Sequence, residues 1–264
     1  MRSSGIDVGS RTVKLAVLEA GELVLVRKSV ASHDPLETAA KLIQDVDLGT
    51  VAATGYGRHL IKTNLGCTVI SEIKAFTLGA RMFSENCRTI LDIGGQDTKA
   101  IALDEQGSMS KFEMNDKCAA GTGRFLEIMA AALGYSLEDF SKAALSAKRA
   151  EKINSTCTVF AESEVISLTH QGALREEVAL GIHKAIISRS TAILKRVAVP
   201  GSICFAGGVA FNECVRTLLG NEMGEQVFVP PDPQMVGAVG AALYAATQGS
   251  EKHTGGSANR RVRD

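Results

Sequence analysis

The sequence predicts an α/β protein of two lobes, and three observations carry that prediction. A strand, an Asp-x-Gly turn and a second strand open the chain, and the same unit recurs from Thr89 onward. A buried strand later ends in Gly207-Gly208. The last regular element is a helix rich in glycine and alanine.

The elements follow in order. Residues 4–7 form a strand, Val8-Gly9-Ser10-Arg11 turns, and residues 12–18 form the returning strand. Gly21 punctuates a further hairpin into residues 23–26, which makes the opening a β-meander rather than a βαβ unit. Helical spacing covers residues 35–43, a buried strand covers 50–54 before the turn Gly55-Tyr56-Gly57, and a helix covers 72–83. Residues 89–93, a turn through Gly94-Gly95-Gln96-Asp97 and residues 98–103 repeat the opening hairpin. Residues 109–114 and a helix from about 120 to 133 come next. Strands at 202–206 and 227–229 precede a helix over 235–246. The expected division is 1–86 plus 235–247 for the first lobe and 87–234 for the second. A polar, basic tail at 248–264 is expected to be disordered.

Composition narrows the function. Of 264 residues 45% are hydrophobic and 22% charged, with a formal net charge of zero. That balance gives no reason to expect nucleic acid or a membrane surface as partner. No apolar run reaches the ~20 residues of a spanning helix. The first residues lack the apolar stretch of a signal peptide, so a cytoplasmic location is expected. In that setting six cysteines without a CxxC pair do not read as a disulfide framework. Cys67, Cys87, Cys204 and Cys214 read as small buried hydrophobes. His59, His170 and His183 read as surface or packing residues.

The repeated turn has a physical purpose. Glycine lets backbone N–H groups approach phosphate oxygens with no Cβ in the way, and an aspartate at the strand end can hold Mg²⁺ through water. In the first copy the residues are Asp7, Gly9, Ser10, Arg11, Thr12, Val13 and Lys14. The second supplies Asp92, Gly94, Gly95, Gln96 and Asp97. Gln96 or Asp97 is the candidate to position an attacking water, since phosphoryl transfer depends on positioning and charge stabilisation. Gly207-Gly208 offers flat backbone to an adenosine. Gly237, Gly240 and Ala241 on the last helix permit a close hinge crossing with helix 72–83 through Ala75, Gly79 and Ala80. Neither GxxxxGK[ST] nor GxGxxG occurs, so P-loop and dinucleotide-fold readings are excluded. The order of elements over about residues 4–246 resembles the actin/sugar-kinase/Hsp70 superfamily, which implies an actin-like ATPase (ribonuclease H-like) fold with a nucleotide cleft.

Cys118 and Cys157 each stand ahead of an expected helix, whose N-terminus favours thiolate. Spacing alone favours two buried packing cysteines over metal ligands. The wording around them adds a resemblance. NDKCAAGTGRFLE and STCTVFAESEVIS, with IDVGS, ATGYGR and LDIGGQD, are similar to the activators of 2-hydroxyacyl-CoA dehydratases, a family shared with the ATPase subunits of benzoyl-CoA reductase. The resemblance implies a homodimer holding one [4Fe–4S] cluster per dimer, with Cys118 and Cys157 as ligands from each subunit. It implies ATP/ADP and Mg²⁺ as further cofactors, with Gly121 and Gln234 also at the nucleotide. It implies ferredoxin or flavodoxin as electron donor and ATP-driven, one-electron transfer to a partner dehydratase. Phe211 departs from the polar residue of many relatives. Glu162 and Glu164 read as first-turn dipole partners of a helix. An ATPase subunit of a benzoyl-CoA-type reductase and a small-molecule kinase on the same fold are the alternatives.

Overall fold

The structure is a computed structural model that describes residues 1–155 and 157–254. The chain divides into two compact units: Met1–Phe83 joined by the chain from Met235, and Ser84–Gln234.

In the first unit β1 (Arg2–Val8), β2 (Thr12–Glu19) and β3 (Glu22–Val30) form an antiparallel meander. Helix α1 (Pro35–Ile43) begins where sequence chemistry requires. Pro35 occupies the first turn, and the Asp34 side chain accepts from the N–H groups of Leu36 and Glu37. Strand β4 (Thr50–Gly55) lies parallel to β1, and α2 (Arg58–Leu65) leads to the short β5 (Thr68–Val69), parallel to β4. Helix α3 (Glu72–Phe83) closes the segment. The strand order is β3-β2-β1-β4-β5.

The second unit repeats this plan. Strands β6 (Cys87–Ile93), β7 (Thr98–Leu103) and β8 (Met109–Asn115) form the meander. Four helices follow: α4 (Gly123–Ala132), α5 (Leu137–Ser146), α6 (Thr158–His170) and α7 (Arg175–Val197). Strand β9 (Ser202–Ala206) pairs parallel with β6, and beyond a 3₁₀ turn, Gly208–Phe211, α8 (Glu213–Met223) leads to β10 (Val227–Phe228). The order β10-β9-β6-β7-β8 mirrors the first sheet strand for strand. Phe125, Phe140, Ile182, Ile186 and Phe205 centre its core.

Helix α9 (Val236–Thr254) returns the chain to the first unit. Its Ala238, Val239 and Ala242 bury Ala16 and Leu18 of β2, while Ile6, Leu15 and Val17 pack with Ala39 and Leu42 of α1. The sheet is thus covered on both faces, which explains the near-continuous apolar run of β2. The crossing of α3 and α9 is as close as the small residues predicted. A methyl on Gly79 would strike the Val236 carbonyl, and one on Gly240 the Ala75 carbonyl.

Two expectations need correction. The helix expected from about residue 120 starts at Gly123, because 116–122 is occupied by a turn with Gly121 at φ +93° and extended Thr122 as N-cap. The tail expected to be disordered from 248 is helical to Thr254, while 255–264 lie outside the described residues. Among the described residues no helix is long and apolar enough to cross a membrane.

Candidate functional site

In the first hairpin, the antiparallel register of β1 and β2 sets Asp7 opposite Lys14. Both are buried, and the Lys14 ammonium lies 2.9 Å from Asp7 Oδ2. Lys14, expected to serve phosphate directly, therefore has an internal partner. Val13 is wholly buried and can offer only its backbone. The Gly9 N–H donates to the Thr12 carbonyl at 3.0 Å and closes the turn, whose tip is Ser10 and exposed Arg11. From β4, Gly55 approaches at φ +86°, and a Cβ there would strike Asp7 Oδ1 and the Val8 carbonyl.

The second hairpin repeats each of these contacts. Asp92 faces Lys99 across β6 and β7, and the Lys99 ammonium lies 3.2 Å from Asp92 Oδ2 and 2.7 Å from Asp97 Oδ2. The Gly94 N–H donates to the Asp97 carbonyl at 2.9 Å. From β9, Gly207 approaches at φ +86°, and its Cβ would strike Asp92 Oδ1 and the Ile93 carbonyl. The tip is braced by α4: Gly123 and Arg124 donate their N–H groups to the carbonyls of Gly94 and Gly95 at 2.8 and 2.9 Å. Thr98 Oγ1 donates to the Gly121 carbonyl, which ties Gly121 to the same hairpin. Gln96 is exposed, whereas Asp97 is buried on Lys99. Lys99 escaped the sequence reading, although each Asp is followed seven residues later by a lysine, 7 to 14 and 92 to 99.

The glycine pair and Gln234 lie side by side. Gly207 donates to the Pro233 carbonyl at 2.9 Å, and Gln234 Nε2 stands 3.1 Å from where a Gly208 Cβ would be. Phe211 is half exposed at the end of the 3₁₀ turn. Behind it Asn212 caps α8, accepting at Oδ1 from the Val215 N–H and the Ser141 hydroxyl. Its amide donates to His183 Nε2 at 3.0 Å, while His183 Nδ1 donates to the Ala179 carbonyl at 2.8 Å. His183 is a packing residue: burial pulls its pKa down to about 4, and it stays neutral. A cavity of about 470 Å³, which sequence patterning gave no signal for, is lined by Glu213, Arg216, Thr217, Val227 and Val229.

The cysteines separate into two groups. Cys67, Cys87, Cys204 and Cys214 are buried, as expected, and burial pushes the Cys214 thiol up to about 12. Cys118 and Cys157 are both exposed, so the packing alternative does not hold for them. Cys157 is the N-cap of α6. Cys118 is not at a helix end; it lies in the turn before α4, where Asn115 Nδ2 donates to the carbonyls of Cys118 and Ala120. The first turn of α6 holds no acidic side chain, which corrects the reading of Glu162 and Glu164. Glu164 instead accepts from the N–H groups of Asn154 and Ser155 and from Asn154 Nδ2, at 2.8–3.0 Å. Burial pushes its carboxyl up, but these donors outweigh burial and hold it below the usual range. Glu164 thereby latches the segment that leads to Cys157. Val159 and Phe160, just beyond, are about two-thirds exposed.

Comparison with known proteins finds relatives that match over nearly the whole chain. The chain is 39% identical over 250 residues to the (R)-2-hydroxyglutaryl-CoA dehydratase activating ATPase of Acidaminococcus fermentans, covering 91% of this chain and 95% of the relative. It is 39% identical over 261 residues to the activator of lactoyl-CoA dehydratase of Anaerotignum propionicum, covering 96% and 100%. Among solved structures, the activator of the 2-hydroxyisocaproyl-CoA dehydratase from Clostridium difficile, with bound ADPNP, superposes with a TM-score of 0.87. It is 34% identical and is covered, like this chain, over its full length. A ROK family glucokinase from Streptomyces griseus shares the fold at 12% identity, with a TM-score of 0.61 over 94% of this chain and 100% of the glucokinase. The fold is therefore the actin-like ATPase fold expected from the order of motifs. Residues 4–245 match the BadF/BadG/BcrA/BcrD ATPase family, a span that takes in both hairpins, both cysteine segments and the glycine-pair strand. On that match the chain belongs to the BadF/BadG/BcrA/BcrD ATPase family.

Proposed function

We propose that this ATPase is a one-electron donor that activates a 2-hydroxyacyl-CoA dehydratase. The observation that carries the reading is the exposure of Cys118 and Cys157 in a chain whose other four cysteines are buried. Two accessible thiols are half the donor set of a cubane. A two-fold homodimer supplies the other half, and exposed Val159 and Phe160 beside Cys157 suit an apolar contact with a second copy. The residues therefore fit a shared [4Fe–4S] centre held by Cys118 and Cys157 of each subunit. The chemistry such a centre supplies is one-electron transfer, from a reduced ferredoxin or flavodoxin to the dehydratase.

The remaining work falls to this chain's own groups. Ser10 in the first hairpin and Gly95 and Gln96 in the second present backbone N–H groups to phosphate oxygens, since Gly9 and Gly94 close their own turns. Asp7 and Asp92 are the residues that would hold Mg²⁺, and the ion would supply neutralisation of phosphate charge. Gln96, exposed at its tip, orients the attacking water, while buried Asp97 fixes Lys99. Gly207, Gly208 and Gln234 form the adenosine platform, with the cavity along α8 as the space for the base.

Anaerobic purification followed by iron analysis tests the reading. About four irons per two chains are expected, and Cys118→Ala or Cys157→Ala should lose them, while Cys67→Ala and Cys204→Ala keep them. Iron retained in Cys157→Ala would refute the assignment. The same preparations should show that nucleotide binding and hydrolysis persist without iron. Gln96→Ala should lower ATP turnover roughly 100-fold with little change in ADP affinity. Gly95→Val should weaken ADP binding instead.

A further inference from the structure

We infer that Arg189 is a positioning residue for the redox centre: it ties the two cysteine segments together and sets a fixed positive charge behind them that raises the reduction potential. The inference rests on the cysteine assignment above. Arg189 projects from α7, and its Cβ and Cδ lie 3.5 and 3.8 Å from the space a Gly121 methyl would fill. Gly121 ends the turn that carries Cys118. The guanidinium lies 5.7 Å from the ring centre of Phe125, on α4. Its Nη2 donates to the Ser155 carbonyl at 3.5 Å, two residues before Cys157. One side chain thus touches both cysteine segments and the helix after the first.

The second guanidinium nitrogen carries the argument further. Nη1 is buried and has no hydrogen-bond partner among the described residues. A buried charged donor is costly to leave unpaired, and either an ordered water or an anionic group satisfies it. A cluster bound by four thiolates is a net anion and becomes more negative on reduction. A cation held close by therefore favours the reduced form, and removing it lowers the potential.

The test is an EPR-monitored redox titration of the anaerobic protein beside Arg189→Gln, Arg189→Met and Arg189→Lys, with iron content and ADP affinity measured on each. ADP affinity reports folding; if one neutral variant fails to bind ADP, the other is read. A downward shift of the midpoint in the neutral variants, largely restored in Arg189→Lys, is expected. Iron kept by Arg189→Lys but lost from both neutral variants would also support the role. A neutral variant with full iron and an unaltered midpoint would overturn it, as would loss of iron from all three. Absence of iron from the unaltered protein would instead overturn the cysteine assignment itself, and would show before any substitution is made.

Discussion

Set beside each other, hairpins β1–β2 and β6–β7 share three contacts and differ in what stands behind the tip. In each, an aspartate at a strand end meets a lysine across the register, a glycine N–H closes the turn, and a glycine at φ +86° presses against the aspartate. Behind the second tip, however, Asp97 also bonds Lys99, and the first N–H groups of α4 hold the carbonyls of Gly94 and Gly95. The corresponding brace in the first unit is the N–H of Gly57 on the Val8 carbonyl, at the base of the turn rather than its tip. Shared offsets give two matching turns. The loop that follows decides how firmly its tip is fixed, and only the second tip carries the exposed glutamine.

The lysines offer the largest test of that difference. Removing one partner of a buried ion pair costs about 3–5 kcal/mol. Lys99→Met deprives two carboxylates at once and should fall at the upper end of that range. Lys14→Met deprives one, in a pair whose lysine side chain is 11% exposed, and should fall at the lower end. Urea midpoints rank the two; a costlier Lys14→Met would mean that sharing by Asp97 is not what distinguishes the hairpins.

The glycines test what the hairpins share. Gly55→Ala and Gly207→Ala each place a methyl against an aspartate oxygen and a carbonyl, at a φ that alanine avoids. Strain and overpacking together should cost about 2–4 kcal/mol at either site. Equal losses in denaturant titrations would sharpen the equivalence. A tolerated substitution at one site alone would break it.

Both hairpins were legible because their information is local: an Asp-x-Gly turn between apolar strands needs no distant contact to be recognised. The α3–α9 crossing was legible for a similar reason, since only small residues allow it. Helices α5, α7 and α8 had no counterpart in the sequence reading, and α7 shows why. Its buried set includes Glu177, His183, Ser190 and Thr191 beside Ile182 and Ile186, so no clean apolar stripe marks a face. The Glu164 latch joins residues ten apart through a loop whose path no periodicity describes. Exposure of Cys118 and Cys157 is likewise a tertiary fact; their place ahead of expected helices set them apart from the other four, but spacing alone still favoured burial.

The smallest of these effects is set by pH and should separate the two units. His183 of the second unit is neutral when folded, with its pKa pulled from 6.5 down to about 4. Because the folded pKa is depressed, the unfolded chain takes up a proton that the native state refuses. The His183 contribution is complete above pH 6.5 and is lost as pH falls toward 4. By pH 5 the loss is about 2 kcal/mol. Glu164, whose pKa is lowered from 4.5, adds to acid sensitivity only below that value, so the interval between 6.5 and 5 belongs to the histidine. His33 and His59 of the first unit are exposed and bury no comparable neutral ring. Hydrogen exchange at pH 7 and pH 5, corrected for intrinsic rates, should therefore show faster opening of α5, α7 and α8 while β1, β2 and α1 change little. The same measurement on His183→Gln should show no such pH step. Equal acid loosening of both units, or a step that survives the substitution, would mean that the Asn212–His183 network does not set the acid stability of the second unit.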